Sequence, residues 1–149
     1  MREILFRGKR IDNEQWVDGC CLCLYGEETL HIIVDEHGQY HRVDPDTVGQ
    51  YTGLTDKNGK RIFEGDIVRT QPFSDRPYSK KAKFKQHIGV VEYHINHFKN
   101  NLYEQDYEAN WRVNIKDYGG YGCCDWSAFF KCEVIGNIHD NPELMEESV

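Results

Sequence analysis

The stretch from Gly49 to Arg69, GQYTGLTDKNGKRIFEGDIVR, decides the fold. Asn58-Gly59 is the dipeptide favoured where successive residues need positive φ, and it lies between two β-prone runs, Gln50-Tyr51-Thr52 and Arg61-Ile62-Phe63. Asp56 is placed to fold its carboxylate back onto the backbone of such a turn. Tyr51 to Phe63 therefore reads as a hairpin turning around Lys57 to Lys60. Glu64-Gly65-Asp66 makes a second sharp bend, after which Ile67-Val68 opens a new strand. Asn58, Gly59, Gly65 and Asp66 form the structural motif of this region.

Outward from this centre the same grammar repeats. Ile4 to Gly8, Trp16 to Tyr25, Leu30 to Asp35 and Gln39 to Val43 read as strands, with Gly19 marking a bulge or a close backbone approach. Asp44-Pro45-Asp46 ends that series, starts a turn of helix, and is the natural joint between an N-terminal β region, 1–46, and a second region, 47–149. Ile88 to His94 is a further strand, Asn96 to Asn110 a long loop or short helix, and Trp111 to Ile115 a clean alternation. Gly119 to Gly122 is a reversal, and Phe129 to Ile138 the last strand. Asn141-Pro142-Glu143 is a helix-start signal, with Asn as cap and Pro in the first helical position. Composition agrees with strands: of 149 residues 9 are Tyr, 7 Phe and 3 Trp, while Met numbers 2.

Several function classes are excluded or weakened by composition. A net charge of −7 argues against general binding of phosphate backbones by the whole chain. No run of about 18 apolar residues exists, so neither a membrane span nor a membrane partner is expected. The N-terminus lacks the apolar core of a signal peptide, which places the expectation in the cytoplasm. There the six cysteines (Cys20, Cys21, Cys23, Cys123, Cys124, Cys132) are expected as thiols. Their spacing is not that of a zinc knuckle, and Asp56-x-Asn58-Gly59 lacks the distal acid of a calcium loop. No metal, no other cofactor and no catalytic residue is assigned. Glu64 and Asp66, two residues apart, are the one carboxylate pair on which a small hydrolase would draw, although the bend itself accounts for both.

The segment from Gln71 to His87 breaks the strand rhythm. Pro72 and Pro77 precede a lysine-rich run, and from Arg76 to Lys85 five positive residues (Arg76, Lys80, Lys81, Lys83, Lys85) stand with no acid, interleaved with Tyr78 and Phe84. With −7 on the whole chain, setting these five aside leaves −12 on the remainder. A mobile loop with a local phosphate-binding character is the expectation, and these five residues are its candidate contacts.

Phe6-Arg7-Gly8-Lys9, Trp16-Val17-Asp18-Gly19, VGQYTGLTDKNGKRIFEGDIV (48–68), GVVEY (89–93) and EVIGNIHDNPEL (133–144) together resemble the YopX family, small proteins of phages and prophages. The resemblance implies an all-β fold containing a small β-barrel, here with additional N-terminal strands and a short C-terminal helix. It implies no activity. The favoured function is thus a non-enzymatic phage accessory protein, a binding or assembly module whose partner is a phage or host protein or a second copy. A nucleic-acid-binding module acting through Arg76 to Lys85 comes second, and a small hydrolase using Glu64 and Asp66 third.

Overall fold

The computed structural model describes residues 3–74, 78–99, 105–115 and 126–146. The chain divides into two compact units, residues 1–54 and 55–149.

Unit 1 is built on β1 (Phe6–Lys9), which pairs antiparallel with β2 (Trp16–Leu24) on one side and β5 (Gly49–Thr55) on the other. β3 (Leu30–Val34) pairs with β2, and β4 (Tyr40–Arg42) with β3, so the strand order is β4-β3-β2-β1-β5. Ile33, Val43 and Tyr51 are buried in it. Gly19 is a close approach: a Cβ there would lie 2.0 Å from the Val34 carbonyl oxygen, a distance no side chain survives. The joint read at Asp44–Asp46 is a 3-10 turn, Pro45–Thr47, inside this unit. Asp44 caps it by accepting from the Asp46 amide, and Thr47 Oγ1 accepts from the Lys9 amide at 2.8 Å. That bond fastens the turn to β1.

In unit 2, β6 (Arg61–Phe63) follows the central hairpin. A sheet of unit 2 runs β10-β7-β8-β9, all antiparallel, from β7 (Asp66–Arg69), β8 (Ile88–Lys99), β9 (Gln105–Asn114) and β10 (Glu133–Asn137). β7 lies between β10 and β8, and its successive residues Ile67 and Val68, which point to opposite faces, are both buried, a continuous apolar pair rather than an alternation. One turn of helix, α1 (Trp126–Phe129), places Ala128 and Phe129 on a core of Ile62, Val68, Val91, Val113, Ile115 and Cys132. Burying each large aliphatic here contributes roughly 1.5–3 kcal/mol.

Four expectations are corrected. The fold is all-β, but no closed barrel exists among the described residues: both sheets are open, and β4, three residues long, is a blunt edge rather than a closing strand. The C-terminal helix is a single 3-10 turn, Pro142–Met145. Asn141 sits at φ −134° and makes no side-chain cap bond, so the start signal is present without its hydrogen bond. The long loop or helix read over Asn96 to Asn110 is, where described, strand: β8 runs on to Lys99 and β9 begins at Gln105. The last strand is also shorter than Phe129 to Ile138, because α1 and a turn occupy its first residues. The reversal at Gly119–Gly122 lies outside the described residues.

Candidate functional site: a lysine-bearing hairpin

The central turn uses its carboxylate internally. The Gly59 amide donates to the Asp56 carbonyl at 3.0 Å, and the Asp56 amide to the Lys60 carbonyl at 2.8 Å. Gly59 has φ +81° and Asn58 does not share the positive φ. The turn is therefore a three-residue loop closed by a left-handed glycine rather than the two-residue turn with paired positive φ that Asn-Gly suggests. Asp56 Oδ1 accepts from the amides of Asn58 (2.8 Å) and Lys60 (2.9 Å). Its other oxygen accepts from the Val134 amide at 3.0 Å, 78 residues away in sequence. Burial pushes this carboxyl upward, but the Val134, Lys60 and Asn58 amides and the Lys60 charge outweigh it, and its pKa lies below the ordinary value. Lys57 adds a 2.6 Å ion pair to Glu133 and donates its amide to the Cys132 carbonyl.

The next bend carries Glu64, which is half-buried, and Asp66. Asp66 is 1% exposed and accepts the Phe63 amide at 2.8 Å. Gly65, at φ +82°, donates to the Val91 carbonyl and accepts from the Ile138 amide. A carboxylate closed off from solvent and bonded to its own bend holds the fold and presents no oxygen to a substrate.

The basic segment is a hairpin joining β7 to β8. Its ladder continues past β7: the Thr70 amide donates to the His87 carbonyl at 2.8 Å, and the His87 amide donates to Thr70 Oγ1 at 3.0 Å. Phe73 and Lys85 then exchange both backbone bonds, at 3.1 and 3.2 Å. Phe73 packs on the core of unit 2, and its ring meets that of His87 with centroids 4.5 Å apart. The expected mobile loop thus has a paired and packed stem. Above it, Ser79 turns the chain by accepting from Ala82 and Lys81 amides.

Lys80, Lys81, Lys83 and Lys85 are all exposed, and none forms an ion pair with another described residue. Arg76 lies outside the described residues. Tyr78 is 101% exposed and Phe84 61%. The hairpin therefore holds four ammonium groups without an ion pair to another described residue, together with two exposed aromatic rings.

Other candidates resolve less sharply. Cys20, Cys21, Cys23 and Cys132 are free thiols, while Cys123 and Cys124 lie outside the described residues. Burial, with the charges of Asp56 and Asp66 beside it, pushes the Cys132 thiol up to about 11, which makes it an inert core residue. Among the described residues no group of three or more His, Cys, Asp or Glu side chains is placed to hold a metal ion. In unit 1, sequence reasoning missed an open groove of about 340 Å³ lined by Arg10, Ile11, Asp12, Tyr40, His41 and Arg42. Most of its charge is spent internally: Arg10 pairs with Asp12 at 2.5 Å, and His41 Nε2 lies 2.8 Å from Asp35 Oδ2. That contact, with the amides of Gln39 and His37, holds the Asp35 carboxyl down to about 2.

Two open antiparallel sheets, with a basic hairpin rising from one of them, define a small all-β protein with no helix among the described residues long and apolar enough to cross a membrane. The family model of the YopX protein matches residues 5–146, nearly the whole chain, and the chain belongs to the YopX family. No curated protein matches it. Among solved structures it is similar to protein EF1440 from Enterococcus faecalis, at 21% identity and a TM-score of 0.49, over 97% of this chain and 99% of that one.

Proposed function

We propose that this chain is a non-enzymatic accessory protein of a phage or prophage, working as a binding module, and that the hairpin above Phe73 and Lys85 is its contact element for nucleic acid. One observation carries the reading: four lysines stand exposed on a braced stem with no acidic partner among the described residues. Lysines that served only solubility would be as effective scattered. Gathered on one tip of an otherwise acidic chain, they make a local positive potential that phosphates sense within about 10 Å at ordinary salt. The hydrolase alternative loses its support with Asp66, which is sealed into the bend.

The test is binding of labelled nucleic acid at low and high salt by the wild type and by a variant with Lys80, Lys81, Lys83 and Lys85 changed to Gln. Four phosphate contacts on a duplex give a slope of log K against log salt of about −3.6. The quadruple variant should lose most of that slope along with the affinity. A wild type without salt-sensitive binding removes the reading.

A further inference from the structure

We infer that the nucleic acid this hairpin takes is single-stranded, with unpaired bases stacked on Tyr78 and Phe84 while Lys80, Lys81, Lys83 and Lys85 follow the phosphates. The inference rests on the reading above and deepens it. Its own observation is the pair of aromatic rings. Tyr78 is fully bare and Phe84 is more than half bare, in the same tip as the lysines, while Phe73 at the foot of the hairpin is packed into the core. Phe73 accounts for the stem, so neither bare ring is needed to hold it. Leaving large rings in water is unfavourable, and a tip selected only for charge would not carry them.

The rings discriminate between forms of nucleic acid. In a duplex each base is covered above and below by its neighbours, so a side chain reaches a base face only by prising the stack apart. An unpaired strand offers every base face to a ring, and any base serves, because each has one. Lysines next to the rings supply the second half of such a platform, charge that tracks the backbone between stacked bases. Chain order supports this: Tyr78 and Phe84 bracket Lys80, Lys81 and Lys83, and Lys85 follows.

A membrane surface would also combine rings with lysines, but it fits less well. A bilayer of anionic lipid is a broad charged plane, and it would face the −12 carried by the rest of the chain as well as the tip. A single strand is narrow enough to meet the tip alone. Two rings, with no exposed Leu, Ile, Val or Met beside them among the described residues, also give a small apolar area for insertion.

The experiment measures fluorescence anisotropy with labelled oligo(dT), a duplex of equal charge and heparin fragments. Phosphatidylserine vesicles are tested by co-sedimentation. Wild type should prefer oligo(dT) to the duplex, with a salt slope of about −3 for four contacts on a single strand. Tyr78→Ala with Phe84→Ala should weaken oligo(dT) tenfold or more relative to heparin, since stacking on each ring carries about five- to hundredfold. Tyr78→Phe should restore the Tyr78 share. All three side-chain changes are at exposed positions, so unfolding midpoints should stay at the wild-type value. If the lysine variant loses binding but the ring variants do not, or duplex binds as well as oligo(dT), single-strand recognition is overturned while a nucleic-acid contact stands. If vesicles bind with the same ring dependence and oligo(dT) does not, the partner is a membrane and both readings fall. Absence of any salt-sensitive binding also removes both.

Discussion

The turn at Asp56–Lys60 and the turn at Tyr78–Lys81 each reverse a hairpin in unit 2, and they use polar groups in opposite ways. In the first, a carboxylate that is 7% exposed accepts three backbone amides from two separate segments. That carboxylate is committed to the fold. In the second, the backbone is braced at Phe73 and Lys85 and every ammonium group beyond remains open to solvent. The difference teaches where a chain leaves polar groups available to a partner. Polar groups already satisfied internally hold the fold; those raised on a rigid stem and left unsatisfied are available to something else.

The sharpest way to break the comparison is Asp56→Ala. It leaves three amides without their acceptor, each costing about 1–3 kcal/mol where water cannot replace it, so a loss of about 3–5 kcal/mol is expected in urea unfolding. A loss under about 1 kcal/mol would mean the carboxylate only decorates the turn. The same group sets a pH dependence. Its folded pKa lies below that of the unfolded chain, about 3.9. Its contribution is therefore complete above that range and disappears as pH falls through the lower folded value. Asp35, held to about 2, gives the same sign in unit 1, so acid should destabilise below about pH 4. Urea midpoints across that range would show it, and in Asp56→Asn the slope should be shallower.

Gly59→Val comes next in size. The position has open space around it, so the cost comes from φ +81° alone, which a β-branched residue resists by about 2 kcal/mol. A thermal midpoint equal to wild type would show that the turn can close without a left-handed residue. At the bottom of the scale, changing the four tip lysines to Gln should move stability by less than about 0.5 kcal/mol. Limited trypsin should cut wild type first after Lys80, Lys81 or Lys83, with the fragments held together by the flanking strands β7 and β8. A first cut elsewhere would mean that the tip is shielded.

Legibility in the sequence followed the range of the interaction. Asp56 folding onto its own turn, the bend at Gly65 and the bare lysines are all local chemistry, and each is readable from a few neighbouring letters. The Val134 amide on Asp56 is not, because no pattern near Asp56 points 78 residues ahead. The second half of β9, from Trp111, is legible as an alternation, but its first half is hidden, because Gln105 to Asn110 is polar and takes its conformation from pairing with β8, with Asn110 opposite His94 and Ala109 opposite Ile95. Barrel closure is a property of whole sheets and has no local signature, and the Asn-Pro-Glu signal named a helix start without naming its length. In the site, the lysines and the rings were plain, but the stem was not: Phe73 and Lys85 pair across a segment whose prolines and lysines read as loop.

The bond from Val134 to Asp56 also sets an order of events during synthesis. A ribosome adds about 5–20 residues each second, so Asp56 emerges roughly 4–16 seconds before the amide that completes its shell. Through that interval the central turn exists with one carboxylate oxygen still unbonded, and β7 has no β10 at its side. Unit 2 can pair β7 with β8 and β8 with β9 as they appear, but its last lock closes only when the chain beyond Cys132 arrives. A nascent chain stalled before Val134 should therefore carry a loose second unit, open to chaperones and proteases, however well its turn residues are chosen.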